Sequence, residues 1–153
     1  MFKIIVEDDI HMEESSDIID SPFYIQCEEF IFPCNKWIDF TYPVLEEWKW
    51  NLIKCKENSR CKFILYFHEG SYWLEICKTA DNMYINFMDN KSSVKYYECD
   101  YISLVESLYV AYKDFAKILY KNDVYGARVQ GIYNQIVSSI KELKILIKSL
   151  KRE

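Results

Sequence analysis

The chain has 153 residues, half of them hydrophobic and 17% aromatic, with only three glycines and three prolines. That is the length of one domain with ample material for a core, and it excludes long flexible linkers and collagen-like or low-complexity stretches. The net charge of −5 conceals a split: residues 1–50 carry twelve acids and three lysines, residues 51–100 balance at seven against seven, and residues 101–153 carry five acids and nine bases.

Residues 2–7 form a short apolar strand candidate. The acidic stretch from Asp8 to Asp20 has no period and reads as a loop. Phe23 to Phe32, rich in aromatic and β-branched residues, reads as a second strand, closed by Pro33, which supplies no ladder donor. A helix is expected from about Tyr42 to Lys56. Thr41 stands as its N-cap, Pro43 suits its first turn, and Glu46 and Glu47 favour the positive end of its dipole. Val44, Leu45, Trp48, Leu52 and Cys55 then share one face.

Four strands follow near 61–68, 71–78, 83–88 and 93–98. Their short connections require antiparallel neighbours. Alternation puts Tyr72, Leu74 and Ile76 on one face and Trp73, Glu75 and Cys77 on the other, so the meander has one buried and one wetter face. Asp100 caps a helix whose Val105, Leu108, Tyr112, Phe115 and Leu119 recur at three and four. After a break at Asn122-Asp123 and Gly126, a second helix over 127–150 aligns Val129, Ile132, Ile136, Ile140, Leu143, Ile147 and Leu150. The pair reads as an antiparallel hairpin. The expected class is α+β: an antiparallel meander sheet packed against one short helix and a C-terminal two-helix hairpin, all in one domain over 1–153. Its parts are the acidic loop at about 8–20, sheet and helix at about 22–98, and the hairpin at about 100–150. A competing arrangement leaves the hairpin partly detached, with its stripe as a dimer interface.

No apolar run approaches the roughly 20 residues that span a bilayer. Met1-Phe2-Lys3-Ile4-Ile5-Val6 turns acidic at Glu7-Asp8-Asp9, where a signal peptide needs a longer apolar stretch and a small-residue cleavage site. A cytoplasmic chain without a membrane partner is expected. The six cysteines, Cys27, Cys34, Cys55, Cys61, Cys77 and Cys99, then read as reduced thiols. None forms a C-x-x-C pair and both histidines, His11 and His68, lie apart from them, so no zinc or other metal site and no cofactor is expected.

Catalytic patterns are equally sparse. The acidic loop lacks the ligand order of a calcium loop, and no P-loop, G-x-S-x-G or H-x-x-x-H pattern occurs. His68-Glu69 at a hairpin tip has the residue types of a general base pair, but adjacent strand residues point to opposite faces. Lys141, Lys144, Lys148, Lys151 and Arg152 fall at the spacing of a solvated helix face, and with the overall acidity they argue against nucleic acid. Most of the aromatics, among them Trp37, Phe40, Trp48 and Tyr72, belong to the core. Trp50 and Trp73 fall off the apolar faces and read as exposed interface anchors.

Phe32-Pro33, Trp37-Ile38-Asp39-Phe40, Val44-Leu45 with Trp48, and the hairpin Gly70-Ser71-Tyr72-Trp73-Leu74 together resemble small bacterial proteins. Some of these are grouped with immunity proteins of polymorphic toxin and contact-dependent inhibition systems. The resemblance covers about residues 30–76 and a similar helical tail. It implies a non-catalytic cytoplasmic inhibitor, monomeric or homodimeric, that occludes one toxin domain; it carries over no functional residues. A basic toxin domain would be steered by an acidic surface. The expected contacts are Asp8, Asp9, Glu13, Glu14, Asp17, Glu28 and Glu29, with Trp50 and Trp73 as anchors. The alternatives are a small enzyme with a site around His68, and a homodimeric structural or regulatory module.

Overall fold

In the computed structural model, residues 1–12, 19–80, 82–122 and 127–153 are described, those at 127 and 128 by backbone alone. The N-terminal strand β1 (Phe2–Val6) buries Phe2, Ile4 and Val6 and exposes Lys3, the alternation of a half-buried strand. The apolar segment expected as one strand from Phe23 to Phe32 is instead a hairpin: β3 (Ile19–Cys27) turns back into β4 (Phe30–Phe32), with Cys27 opposite Phe30. Glu28 makes the turn at φ 57. That left-handed conformation is usually marked by Gly or Asn, and here a glutamate bears it.

Two further strands were too short for a period to reveal. β2 (His11–Met12) pairs with Ile19 and Asp20 inside the stretch expected to be a loop. β5 (Ile38–Phe40) pairs with residues Asp20 to Pro22. The first sheet therefore centres on β3, with β1 along one edge of Ile25 to Cys27 and β4 along the other.

Helix α1 (Thr41–Cys55) starts one residue early. Thr41 is not its cap: Phe40 holds that position with no side-chain cap bond. The Thr41 hydroxyl is fully buried and must find a partner, and it bonds the Ser21 hydroxyl on β3 instead. Val44, Leu45, Trp48, Leu52 and Cys55 are all buried, as their spacing requires.

The meander forms as expected. The order β6 (Arg60–Tyr66), β7 (Tyr72–Thr79), β8 (Asn82–Asp89), β9 (Ser92–Asp100) is also the spatial order, antiparallel throughout. Asn90 and Lys91 connect β8 to β9 with φ of 44° and 73°, the paired positive φ of a tight hairpin turn. The inner face of this second sheet meets the first sheet and α1 through aromatic rings. Trp48 stands edge-on to Phe67 and Phe23 at 5.4 and 5.2 Å, and Phe32 meets Phe67 and Phe87 at 5.7 and 5.1 Å.

Asp100 caps α2 (Tyr101–Lys121) by accepting from the Ser103 N–H at 2.7 Å. The α2 residues Val105, Leu108, Tyr112, Phe115 and Leu119 are buried. α3 (Ala127–Arg152) buries Val129, Ile136, Leu143 and Ile147 in the same core. Lys151 near the end of α3 pairs with Glu106 near the start of α2 at 2.8 Å, so the two helices run antiparallel. The α3 stripe is thus spent inside the protomer, and the detached hairpin is not the arrangement adopted. The turn between them lies outside the described residues. Among the described residues, three helices pack with two antiparallel sheets, which makes the fold α+β. Among the described residues, no helix is long and apolar enough to cross a membrane.

One expectation about the cysteines is corrected. Cys55 at the end of α1 and Cys61 at the start of β6 form a disulfide, with Cα atoms 6.3 Å apart. Helix end and strand start are brought together by the short turn between them, which sequence spacing alone did not reveal. Cys27, Cys34, Cys77 and Cys99 are free thiols.

Candidate functional site

The strand pairing fixes which side chains share the outer face of the second sheet. Tyr66 lies opposite Trp73, Trp73 opposite Met88, and Met88 opposite Ser93. The next row is Ile64, Glu75, Asn86 and Tyr96, and the one after it Lys62, Cys77, Tyr84 and Glu98. Ile64, Tyr66 and Tyr96 are 36%, 47% and 60% exposed, so this face has no cover. Tyr84 and Tyr96 stack at 6.2 Å and form a ridge over β8 and β9. Partial burial, the neighbouring Tyr84 and the Glu98 charge raise the Tyr96 phenol above its ordinary pKa. Beside the ridge lies a depression of about 700 Å³ over Ile64, Glu75 and Cys77, and every residue lining it belongs to this sheet. The polar side chains among the rings are ordered: Trp73 Nε1 donates to Glu75 at 3.4 Å, and the Ser93 hydroxyl bonds the Asn86 side-chain oxygen. Large aromatics carried on a hydrogen-bonded sheet are rigid anchors that lose little side-chain entropy on contact.

The residues expected as one acidic surface are dispersed. Asp8 is engaged inside the protomer, accepting from Lys121 at 2.9 Å and Asn122 at 2.7 Å, which lowers its carboxyl pKa. Asp9 sits 3.3 Å from His11. Glu28 and Glu29 are exposed at the β3–β4 turn, beyond the Phe2 end of β1, while Asp8 and Asp9 follow its Val6 end. About 20 Å of strand separates the two groups. Glu13, Glu14 and Asp17 lie outside the described residues. Trp73 is half-buried on the outer sheet face. Trp50 is 53% exposed on α1, which lies against the opposite face, so the two tryptophans do not form one surface.

Sequence reasoning missed the most heavily bonded carboxylate. Asp39 is fully buried on β5. Its Oδ1 accepts from the Phe40 and His68 N–H groups at 2.7 and 3.2 Å, and its Oδ2 from Trp37 Nε1 and the Glu69 N–H at 3.1 and 3.3 Å. One carboxylate thus pins the tip of the β6–β7 hairpin to the first sheet. At that tip Gly70 has φ +68, and an added Cβ would lie 3.1 Å from the Trp37 ring and 3.0 Å from Tyr72. Trp37 and Tyr72 stand edge-to-face at 5.0 Å. Two of the segments that carried the resemblance, residues 37–40 and 70–74, therefore touch.

Two clusters have the residue types of catalysis. His68 Nε2 lies 2.8 Å from Glu47 and not beside its neighbour Glu69, with side chains 27% and 38% exposed. The pair is open to water and does not line the depression. Lys49 Nζ is 2.9 Å from the Ser139 hydroxyl, which in turn donates to Glu46 at 2.9 Å; Tyr112 donates to the same carboxylate at 2.8 Å. Burial and the Glu46 charge raise the Tyr112 phenol. Lys49 and Ser139 are 5% and 2% exposed, so no substrate reaches them, and the network joins three helices instead. Burial also pushes the Cys27 and Cys99 thiols up to about 11 and about 12, which keeps them protonated and unreactive. Among the described residues, no three His, Cys, Asp or Glu side chains converge to hold a metal ion.

No family model matches this chain, and no curated protein or solved structure matches it significantly.

Proposed function

We propose that this chain is a non-catalytic protein-binding protein whose contact surface is the outer face of β6–β9. One observation carries the reading: Tyr66, Trp73, Tyr84 and Tyr96 stand together on an uncovered, rigid sheet beside a depression over Ile64, Glu75 and Cys77. Soluble proteins seldom leave such a patch to water without a partner for it. The composition matches that of interface cores, in which Tyr, Trp and Met are enriched.

The more specific form of the reading is an immunity-type inhibitor of a toxin domain. Its support is the resemblance of residues 30–76 and the exposure of Glu28 and Glu29 at a hairpin tip on the first sheet. An acidic tip steers a basic domain without contributing much affinity. The test is capture of the product of the neighbouring gene by the tagged chain. Wild type is compared with a Tyr66→Ser/Trp73→Ser/Tyr96→Ser variant whose unfolding midpoint is checked. Capture by wild type and its loss in the variant is expected. Equal capture by both refutes the face as the contact surface, and no capture by wild type refutes the inhibitor.

A further inference from the structure

We infer that, when that partner is not bound, the outer sheet face is covered by a second copy of this chain, docked about a two-fold axis parallel to the strands and displaced by the partner. The inference rests on the reading of that face as a contact surface and names what covers it. Its basis is the antisymmetry of the side chains across the sheet. A two-fold axis lying in the interface and running along the strands places β6 over the second copy's β9, and β7 over its β8, while keeping each row in register. Lys62 at one end of its row then meets Glu98 of the second copy, and Glu98 meets the second copy's Lys62. Neither side chain has an ion-pair partner within the protomer among those recorded for the described residues.

The remaining rows agree. Glu75 comes to face Asn86, whose side-chain oxygen is occupied by Ser93 and whose NH₂ is left to donate. Ile64 faces Tyr96. Shape agrees with charge: Tyr84 and Tyr96, which wall the depression within one copy, fall over Cys77 and Ile64 of the other, twice by symmetry. Strand directions remain nearly aligned, the usual geometry of stacked sheets. Four strands about 4.8 Å apart and seven residues at about 3.3 Å give a plan area of about 440 Å². Counted over both copies that is about 880 Å², the size of weak or transient contacts, so association is looked for at high micromolar concentration.

The test uses the purified 153-residue chain and sedimentation equilibrium. Wild type at high micromolar concentration is expected at twice the 18.5 kDa of the monomer. Lys62→Glu and Glu98→Lys each place like charges opposite each other twice and weaken association by about tenfold or more. The double variant Lys62→Glu/Glu98→Lys restores it, and so does mixing the two single variants. Wild type remaining monomeric overturns the inference while leaving the capture experiment to judge the face itself. A dimer insensitive to both reversals, or single variants that fail to restore association when mixed, overturns this geometry.

Discussion

Asp39→Asn isolates the bond set that holds the candidate face in place. An asparagine keeps one acceptor oxygen, able to serve two of the four donors that Asp39 now serves. Its NH₂ then points at the other two, leaving donors facing donors in a site with no exposure. A hydrogen bond to a charged group contributes about 1.5–3 kcal/mol net. Losing two, offset in part by the smaller desolvation cost of a neutral amide, gives a destabilisation of about 3 kcal/mol. For a chain of this size that corresponds to a fall of about 6–12 °C in the unfolding midpoint. Thermal unfolding by far-ultraviolet circular dichroism and a urea titration measure it. The fluorescence of Trp37, whose indole N–H is one of the donors, reports the local change. A loss below about 1 kcal/mol would refute the claim that this carboxylate fastens the β6–β7 hairpin.

Lys78 offers a parallel case. Its buried ammonium donates to the Cys55, Lys56 and Asn58 carbonyls at 3.1, 3.1 and 2.9 Å and lies over the Tyr101 ring, closing the C-terminus of α1. Lys78→Met is expected to cost about 2–3 kcal/mol in urea unfolding, and a neutral result refutes the capping role. Titration of the denatured chain with a thiol reagent, without reductant, is expected to find four thiols, Cys55 and Cys61 being paired; six would refute the disulfide. Closing a loop of this length contributes about 2 kcal/mol, so reduction lowers the midpoint accordingly. In alkaline titration followed at the phenolate absorbance, Tyr24, pushed up to about 12 by burial and the Glu7 carboxylate, is expected to ionise late. Tyr101 and Tyr112, raised further by burial, do not ionise before unfolding. The fold favours these neutral phenols, so their contribution is complete below the ordinary phenol pKa of about 10 and is lost as pH rises past it. All thirteen tyrosines titrating together in the native state would contradict that burial.

Periodic elements were legible because burial imposes a period. The apolar faces of α1, α2 and α3 fall where their spacing puts them, and the alternation of Trp73, Glu75 and Cys77 against Leu74 and Ile76 gave the outer face directly. The hairpin at Glu28 and Glu29 was hidden because a glutamate carries the positive φ. β2 and β5, at two and three residues, are too short to show alternation. The acidic front suggested one surface, but antiparallel pairing sends Asp8 and Asp9 to one end of β1 and Glu28 and Glu29 to the other. The burial of Asp39, Lys49 and Lys78 has no signal in the local sequence. Each is buried because its partners come from segments distant in sequence, and charge type alone does not reveal a partner. The antisymmetry of Lys62 and Glu98 needed the strand register before it had any meaning.

The most direct measurement is a dilution series of amide proton–nitrogen spectra on the wild-type chain. Concentration-dependent shifts confined to β6–β9 are expected, strongest around Ile64, Trp73, Tyr84 and Tyr96. Shifts centred on α2 and α3, or spectra that do not change with concentration, would contradict association through this face.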